Sequence, residues 1–186
     1  MMEFTLRRLT PEHVMLPFDC GDEDLNEFCV KDSYFYQKEL LAVTYYIENE
    51  TETVLFFSLI NDKLSAIELS KSFWRKVKSS LPHEKHRRDY PAVKIGRLAV
   101  GKNFQSSGDH WGSQVLEFIK SWMIDNNKTG CRFITVDAYK QAVLFYQKND
   151  FEFMGKEERQ RFENEIDIQD SDSTYAMYFD LSKLIG

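Results

Sequence analysis

The second half of the chain alternates strand-like and helix-like segments, and this alternation limits the fold more than any other feature. The run AVKIGRLAV at 92–100 predicts a strand, and a polar loop follows it at 101–112. Residues 113–128 carry apolar side chains at helical spacing and predict a helix. A strand, a short helix and two more strands follow at 131–138, 139–150, 151–156 and 174–182. This order predicts an α/β or mixed α+β sheet with helices on both faces.

The first half adds elements of the same two kinds. We expect an edge strand at 3–9 and helical structure over 18–40, with Asp22 as a helix cap. Two β-branched and aromatic runs, 41–48 and 53–62, flank a polar turn and predict a hairpin. The remaining segments are a basic amphipathic helix at 66–80, a charged loop at 83–90 and an acidic loop at 158–173.

Length and composition exclude several classes of protein. A chain of 186 residues suits one domain, so we expect a single domain over 1–186. Three cysteines, none in a C-x-x-C pair, indicate reduced thiols and no zinc site. The longest apolar runs have the length of strands, far below the ~20 residues that cross a bilayer. We therefore expect a cytoplasmic protein with no metal and no membrane segment.

Charge is distributed unevenly along the chain. The net charge is −6, yet the stretch from Lys71 to Lys102 holds ten Lys or Arg and only two acidic residues. A basic segment on an acidic protein indicates an anionic ligand on one face. A solvated surface is the alternative interpretation.

The loop at 101–112 and the start of the next helix are rich in small residues. Those that let main-chain N–H groups approach an anion are Ser106, Ser107, Gly108, Gly112 and Ser113. The loop lacks the G-K-[ST] ending of nucleotide hydrolases and the G-x-G-x-x-G of dinucleotide sites. An ordinary surface loop is the alternative.

In the preceding strand, Gly96 indicates a bulge or a close backbone approach.

Two stretches of the second half resemble the motifs of the GNAT superfamily of acyl-CoA N-acyltransferases. RLAV at 97–100, then Gln105-Ser-Ser-Gly108 and the amphipathic helix, resembles its motif A. AVLFYQKNDFEFMG at 142–155 resembles its motif B, usually written A-x-x-F-Y-x-x-x-G-F. FDCGDEDLNEFC at 18–29 is similar to the opening helix of one branch, which includes toxins that acylate aminoacyl-tRNA.

The resemblance implies a fold and a cofactor. The expected fold is a central twisted, mostly antiparallel sheet with helices on both faces and a splayed strand pair. The expected cofactor is acetyl-CoA, whose pantetheine arm would pair with the main chain of Leu98, Ala99 and Val100. The residues that would receive the pyrophosphate are Gln105, Ser106, Ser107, Gly108, Gly112 and Ser113. Tyr139 would donate one hydrogen bond to the pantetheine arm.

The resemblance also implies a reaction, which is direct attack of a primary amine on the thioester. Tyr146 would protonate the departing CoA thiolate, and a phenol with a pKa near 10 suits that task. A general base is not visible on the strand 92–100. Loss of the amine proton through ordered water is one interpretation. The alternative bases are His13, His83, His86 and His110, none of which lies in a motif, and a surface histidine is the simpler interpretation of each. Cys20 and Cys131 have no His–acid partner placed by the sequence, and we interpret both as packing residues.

Three departures from the motifs affect the candidate site. Two extra residues stand between Gly108 and Gly112, and Asp109 brings a negative charge to the expected pyrophosphate position. Tyr139 stands where motif B often has Asn. Asp150 stands where the family has Gly, and Asp tolerates the left-handed conformation better than most residues.

Three functions stay open at this point. The first is an acetyl-CoA-dependent N-acetyltransferase acting on a small amine, a protein amino group or a charged tRNA, the last in a toxin role. The second is a non-catalytic GNAT-like module that binds acyl-CoA or a protein partner. The third is a nucleic-acid-binding protein that works through the basic segment. A homodimer is compatible with all three.

Overall fold

The computed structural model describes residues 5–65, 71, 74–75, 89–125, 127–165 and 173–185. The strands are β1 (Thr5–Arg8), β2 (Val43–Glu48), β3 (Thr53–Ser65), β4 (Asp89–Val100), β5 (Phe133–Tyr139), β6 (Glu152–Phe153) and β7 (Thr174–Asp180). The helices are α1 (Glu23–Glu27), α2 (Ser33–Lys38), α3 (Trp111–Asp125), α4 (Val143–Lys148) and α5 (Lys156–Asn164). The strands form one seven-stranded sheet in the order β1-β2-β3-β4-β5-β7-β6.

The chain divides into two compact units. The first comprises Met1–Asn61 and Ile95–Ile119, and the second comprises Asp62–Lys94 and Lys120–Gly186. Strands β3 and β4 and helix α3 contribute residues to both units. The expectation of a single domain over 1–186 stays a prediction.

The first unit has its core between the β1–β2–β3 sheet and the helical segment that follows Asp22. Strands β1, β2 and β3 pair antiparallel as a meander, which confirms the predicted edge strand and hairpin. The buried side chains are Leu9, Met15, Phe28, Cys29, Tyr46, Phe56 and Ala99. Phe28 stacks on Phe56 with ring centroids 5.9 Å apart. Cys29 is therefore a packing residue of this core.

A continuous helical segment runs from α1 to α2. The carboxylate of Asp22 accepts a hydrogen bond from the Leu25 N–H at 3.1 Å, so the predicted cap is confirmed. One π-helical turn, Phe28–Asp32, joins the two helices. The Ser33 hydroxyl donates to the Cys29 carbonyl at 2.8 Å within this turn. A π-helical turn contains one more residue than an α-helical turn, so the residues after it are rotated about the helix axis.

Side chains of β3 approach strand β4 closely at Gly96. A Cβ on Gly96 would lie 3.2 Å from the Ser58 hydroxyl oxygen, which confirms the predicted close approach. The guanidinium of the next residue, Arg97, lies 5.3 Å from the ring centroid of Phe28. Phe28 packs on Phe56, and Phe56 and Ser58 share one face of β3 because side chains alternate along a strand. The Arg97 guanidinium thus lies against the core of the first unit.

The second unit is built around β5. This strand pairs parallel with β4, where Ala92–Lys94 faces Phe133–Thr135. On its other side β5 pairs antiparallel with β7, and β6 pairs antiparallel with β7. The buried side chains on one face are Leu64, Tyr90, Ala92, Phe133 and Tyr178, with Trp74 and Met154 packed against them.

One predicted element is wrong, and two lie largely outside the described residues. The acidic loop expected at 158–173 is helical over α5, and residues 166–172 are not described. Phe162 is the one apolar side chain of α5, and its ring packs on Phe153 and Tyr175. One apolar residue cannot show the 3.6-residue spacing of a helix, so the hydrophobic pattern of the sequence did not predict α5. The helix expected at 66–80 and the loop expected at 83–90 fall mostly among residues that are not described.

No helix in the described ranges combines the length and the apolar character that a membrane crossing requires.

A left-handed leucine ends the helical segment, and its replacement tests the cost of that conformation. Leu40 has φ 59° and is 91% exposed. Because left-handed backbone costs an L-residue roughly 1–2 kcal/mol, Leu40→Gly should raise the free energy of unfolding by about 0.5–1 kcal/mol. The midpoint of urea unfolding measures this change.

The neighbouring residue provides the control for that substitution. Leu41 is also exposed, at 53%, but its φ is not positive. Leu41→Gly should therefore destabilise the protein. Equal midpoint shifts for the two variants would show that the Leu40 conformation carries no cost.

Candidate active site

The segment from Leu98 to Ser113 lies wholly in the first unit and contains nine of the eleven predicted site residues. Ala99 is buried in the core, while Leu98 and Val100 are half-buried. The N–H of Gly101 donates to the Val54 carbonyl at 2.8 Å, so the end of β4 stays paired with the start of β3. The main chain of this strand end is therefore held in place, as an added strand would require.

The loop after β4 alternates left-handed residues with residues of ordinary conformation. Ser106 has φ 59°, Gly108 has φ 81° and His110 has φ 51°. Helix α3 begins directly after them. Alternation of this kind turns successive N–H groups toward one concave side, which is the geometry of an anion-binding nest.

The N–H groups of this loop are available to a ligand. Within the described residues, no acceptor is found for the main-chain N–H groups of Ser106, Ser107, Gly108, Gly112 and Ser113. The first main-chain hydrogen bond into α3 is donated by the Gln114 N–H to the His110 carbonyl at 3.0 Å. Three of these donors precede a 15-residue helix and two lie in its first turn, where the positive end of the helix dipole adds to them.

The side chain of Gln105 fixes the turn instead of pointing outward as a ligand group. Its amide nitrogen donates to the Val100 carbonyl at 2.7 Å and to the Cys20 carbonyl at 2.9 Å. Its main-chain N–H donates to the Gly101 carbonyl at 3.1 Å. All N–H groups of Gln105 are thus used within the protein, and its contribution to the site is to position the loop.

The Asp109 carboxylate accepts a hydrogen bond within its own loop. The Ser107 hydroxyl lies 3.2 Å from the Asp109 carboxylate and 3.0 Å from the Phe104 carbonyl. The Gln114 side chain donates to the main-chain carbonyl of Asp109. The Ser107 hydroxyl proton is therefore engaged, and Ser107 offers its main-chain N–H to a ligand.

The loop is joined to the segment before α1 by Asp19. Its carboxylate accepts from the Gly21 N–H at 2.8 Å and pairs with the Lys102 ammonium at 2.8 Å. The Lys102 N–H also donates to the Asp19 carbonyl at 2.8 Å. The hydrogen bond from Lys102 is the largest of the effects that lower the pKa of Asp19 to about 2.

Tyr146 lies on α4 in the second unit. Its side chain is buried, and its ring packs edge-on against Phe145 and Phe151 at 5.1 and 5.3 Å. Burial raises the pKa of Tyr146 above its ordinary value of 10. The phenol therefore keeps its proton through neutral and mildly alkaline pH, so it is a donor and not a base. Among the described residues none hydrogen-bonds to its hydroxyl.

Two further predictions concern the motif B positions Asp150 and Tyr139, and the structure bears on the first of them. Asp150 has φ 64°, which confirms the predicted left-handed turn. Its N–H donates to the Gln147 carbonyl at 3.1 Å and closes the turn after α4. Tyr139 ends β5, half-buried, and its role toward a cofactor stays a prediction.

The structure brings together polar residues that the motifs did not reveal. Lys94 on β4 forms an ion pair with Asp137 on β5. The hydroxyl of buried Thr135 donates to the carboxylate of Asp62 on β3. The sequence offered one sign of the ion pair. Lys94 and Asp137 are charged residues inside two otherwise apolar strands, and a charged side chain in such a strand usually has a partner of opposite charge.

The cysteines are packing residues, as predicted. All three are free thiols, and burial raises the pKa of Cys20, Cys29 and Cys131. A raised pKa keeps the sulfur in its poorly nucleophilic thiol form. In the described ranges no cluster of three metal-ligating side chains occurs.

Comparison with known proteins supports the fold. No protein-family model matches the chain. AtaT complexed with acetyl-methionyl-tRNAfMet aligns with a TM-score of 0.68 at 20% sequence identity, over 98% of both chains. A tyrosine-to-phenylalanine mutant of KacT gives 0.71 at 17% identity, over 98% of this chain and 97% of that chain.

A third structure is a tyrosine-to-phenylalanine mutant of the AtaT toxin, bound to the C-terminus of the antitoxin AtaR and to acetyl-CoA. It gives a TM-score of 0.62 at 18% identity, over 97% of this chain and 95% of that chain. The chain has the AtaT and KacT fold. The predicted fold class, a mixed α/β sheet that is mostly antiparallel and flanked by helices, is thereby confirmed.

Replacement of Asp19 tests how the loop after β4 is anchored. We expect Asp19→Asn to increase amide hydrogen exchange over residues 101–110 and to lower the Tm at pH 7. Because the folded pKa lies below the ordinary value of 3.8, this stabilisation is complete above about pH 4. It is lost as the pH falls toward 2, so the Tm difference between variant and wild type should shrink over that range.

Glu27→Gln is the matched control, because Glu27 forms an exposed ion pair with Lys31 within the helical segment. It should leave exchange in 101–110 unchanged. Equal exchange in wild type and Asp19→Asn would show that Asp19 does not hold the loop.

Proposed function

We propose that this protein is an N-acetyltransferase that transfers an acetyl group from acetyl-CoA to a primary amine. The observation that carries the proposal is the set of five main-chain N–H groups without an acceptor in the described residues, in the loop and at the start of α3: Ser106, Ser107, Gly108, Gly112 and Ser113. It directly follows the strand end at Leu98–Val100. A strand edge followed by an anion nest suits a pantetheine arm followed by a diphosphate.

The residues that would hold the cofactor fall into two groups. The main chain of Leu98, Ala99 and Val100 would pair with the pantetheine arm, and one N–H there would polarise the thioester carbonyl. The N–H groups of the loop and of the first turn of α3 would receive the pyrophosphate. Gln105 acts by positioning this loop, and the Tyr139 hydroxyl would donate to the pantetheine arm.

Tyr146 supplies the proton that the leaving group needs. The amine nitrogen attacks the thioester carbon, the carbon–sulfur bond breaks, and the sulfur leaves with its electron pair. The Tyr146 hydroxyl gives its proton to that sulfur, and solvent later restores it. The amine proton leaves through water. Burial raises the pKa of Tyr146, so the phenol holds its proton at neutral pH until the thiolate forms.

The acceptor that we propose is the α-amino group of an aminoacyl-tRNA. The support is the complex of the similar AtaT structure with acetyl-methionyl-tRNAfMet. The N-terminal segment 18–29 also resembles the branch that contains such enzymes. The basic stretch from Lys71 to Lys102 offers positive charge for tRNA phosphates. By the same comparison we propose a protein antitoxin as a second partner, since the similar AtaT toxin binds AtaR.

Replacement of the proposed acid tests the reaction. Tyr146→Phe removes one hydroxyl, and we expect kcat for acetyl transfer to charged tRNA to fall by roughly 10²–10⁴-fold. Affinity for acetyl-CoA, measured by calorimetry, should stay within about twofold, because the nest lies elsewhere in the chain. Transfer of radiolabelled acetyl groups to bulk aminoacyl-tRNA is the measurement, with a panel of small amines alongside.

Tyr36→Phe is the matched control, since Tyr36 lies on α2 outside the proposed machinery, and it should keep full activity. A Tyr146→Phe variant as fast as wild type would remove Tyr146 from the reaction. Tight binding of acetyl-CoA by wild type without transfer to any acceptor would instead identify a non-catalytic acyl-CoA-binding module.

Two glycines with the same backbone conformation test the nest. Gly108 has φ 81° and Gly130 has φ 80°, and a Cβ on either would meet no atom within 4 Å. Gly108→Ala and Gly130→Ala therefore impose a similar backbone cost of roughly 1 kcal/mol. We expect Gly108→Ala to weaken acetyl-CoA binding by about tenfold or more, because the nest opens, and Gly130→Ala to leave it unchanged. Calorimetric titration with acetyl-CoA measures both, and equal affinities would place the pyrophosphate elsewhere.

A further inference from the structure

Helix α3 carries a lysine that is almost completely buried. Lys120 is 1% exposed, although lysine is among the residues least often found in protein interiors. A buried ammonium is retained only where partners replace its water shell. Lys120 belongs to the second unit, as does Tyr146.

The partners of Lys120 lie at the end of α4 and on β7. Its ammonium donates to the main-chain carbonyl of Asn149 at 2.9 Å. It also lies 4.3 Å from the ring centroid of Phe179 and 5.9 Å from that of Phe151. A cation at the C-terminal end of a helix is favourable because the helix dipole is negative there.

Helix α4 needs such an anchor because it is short. It spans six residues, Val143–Lys148, and helices shorter than about 12 residues are marginal by themselves. Asn149 caps it: the Asn149 side chain donates to the Phe145 carbonyl at 2.9 Å, and its main-chain N–H donates to the Tyr146 carbonyl at 3.0 Å. The residue that Lys120 binds is therefore the one that closes the turn containing Tyr146.

We propose that Lys120 is a positioning residue that fixes the orientation of the Tyr146 hydroxyl. The connection runs through Asn149 on the main-chain side and through Phe151 on the ring side. Phe151 packs against the Tyr146 ring at 5.3 Å, and its N–H donates to the Tyr146 carbonyl at 3.0 Å. This inference rests on the proposed function, in which Tyr146 protonates the leaving thiolate.

Lys120→Met tests the proposal, since methionine keeps the apolar stem and removes the ammonium. We expect kcat for acetyl transfer to fall by about 10- to 100-fold, because a displacement near 1 Å of a reacting group costs that much. The KM for acetyl-CoA should change by less than about twofold. Amide hydrogen exchange of the acetyl-CoA-free protein should rise over residues 144–151. In a Tyr146→Phe background, Lys120→Met should lower kcat no further.

The controls separate positioning from general stability. Lys148→Met removes an exposed lysine of α4 itself and should change neither kcat nor exchange. Lys120→Gln restores an N–H donor on a shorter stem and should recover part of the rate. If Lys120→Met does not fold, Phe179→Leu removes the ring beneath the ammonium and should give a smaller loss in kcat with unchanged KM.

Several outcomes would overturn the proposal. One is unchanged kcat in folded Lys120→Met or, where that variant does not fold, in Phe179→Leu. Another is an equal loss of kcat in the Tyr146→Phe background. A third is unchanged exchange over 144–151 in Lys120→Met, and this result needs no enzymatic activity. Wild-type protein that transfers no acetyl group would instead refute the proposed function, while exchange still reports whether Lys120 holds the turn.

Discussion

The hydrogen bonds of the Gln105 side chain hold the turn on which the candidate cofactor loop depends. The loop from Ser106 to His110 is exposed, and few of its own groups bond to the rest of the protein. Its entry is fixed because Gln105 spans the carbonyls of Val100 and Cys20, and its exit is fixed by α3. The N–H groups between these two fixed ends are not needed for the fold. They can therefore be satisfied by a ligand without loss of structure.

Strain in this loop follows from its sequence. Ser106 and His110 are left-handed without being glycine, a conformation that costs roughly 1 kcal/mol or more each. The two extra residues before Gly112 are accommodated by this second left-handed turn at His110. Asp109, which the insertion brings into the loop, is partly offset by the Ser107 hydroxyl. The extra length is thus absorbed within the loop, and α3 still begins directly after it.

Single residues with a strict conformational requirement could be predicted from the sequence. Gly96 indicated a close approach of β3, and Asp150 indicated a left-handed turn, because few residues tolerate those positions. Gln105 was predicted to receive the pyrophosphate with the rest of its loop, and the hydrogen bonds of its side chain to Val100 and Cys20 could not be predicted, because spacing cannot tell which group a glutamine amide will reach. The α5 helix was missed because Phe162 alone anchors it. The role of Lys120 could not be predicted either, since its partner Asn149 lies 29 residues away.

The lack of an evident base bears on the identity of the acceptor. Between Tyr90 and Val100 the strand β4 carries Lys94 and Arg97 but no carboxylate. Lys94 forms an ion pair with Asp137, so this carboxylate already has a cation as its partner. An α-amino group has a pKa near 8, whereas a lysine ammonium has a pKa near 10.4. At neutral pH the first is neutral in a sizeable fraction of molecules, and the second in roughly one in a thousand. If the reaction proceeds as proposed, with the amine proton lost to water, an α-amine suits it far better than a lysine side chain does, in keeping with the proposed aminoacyl ester.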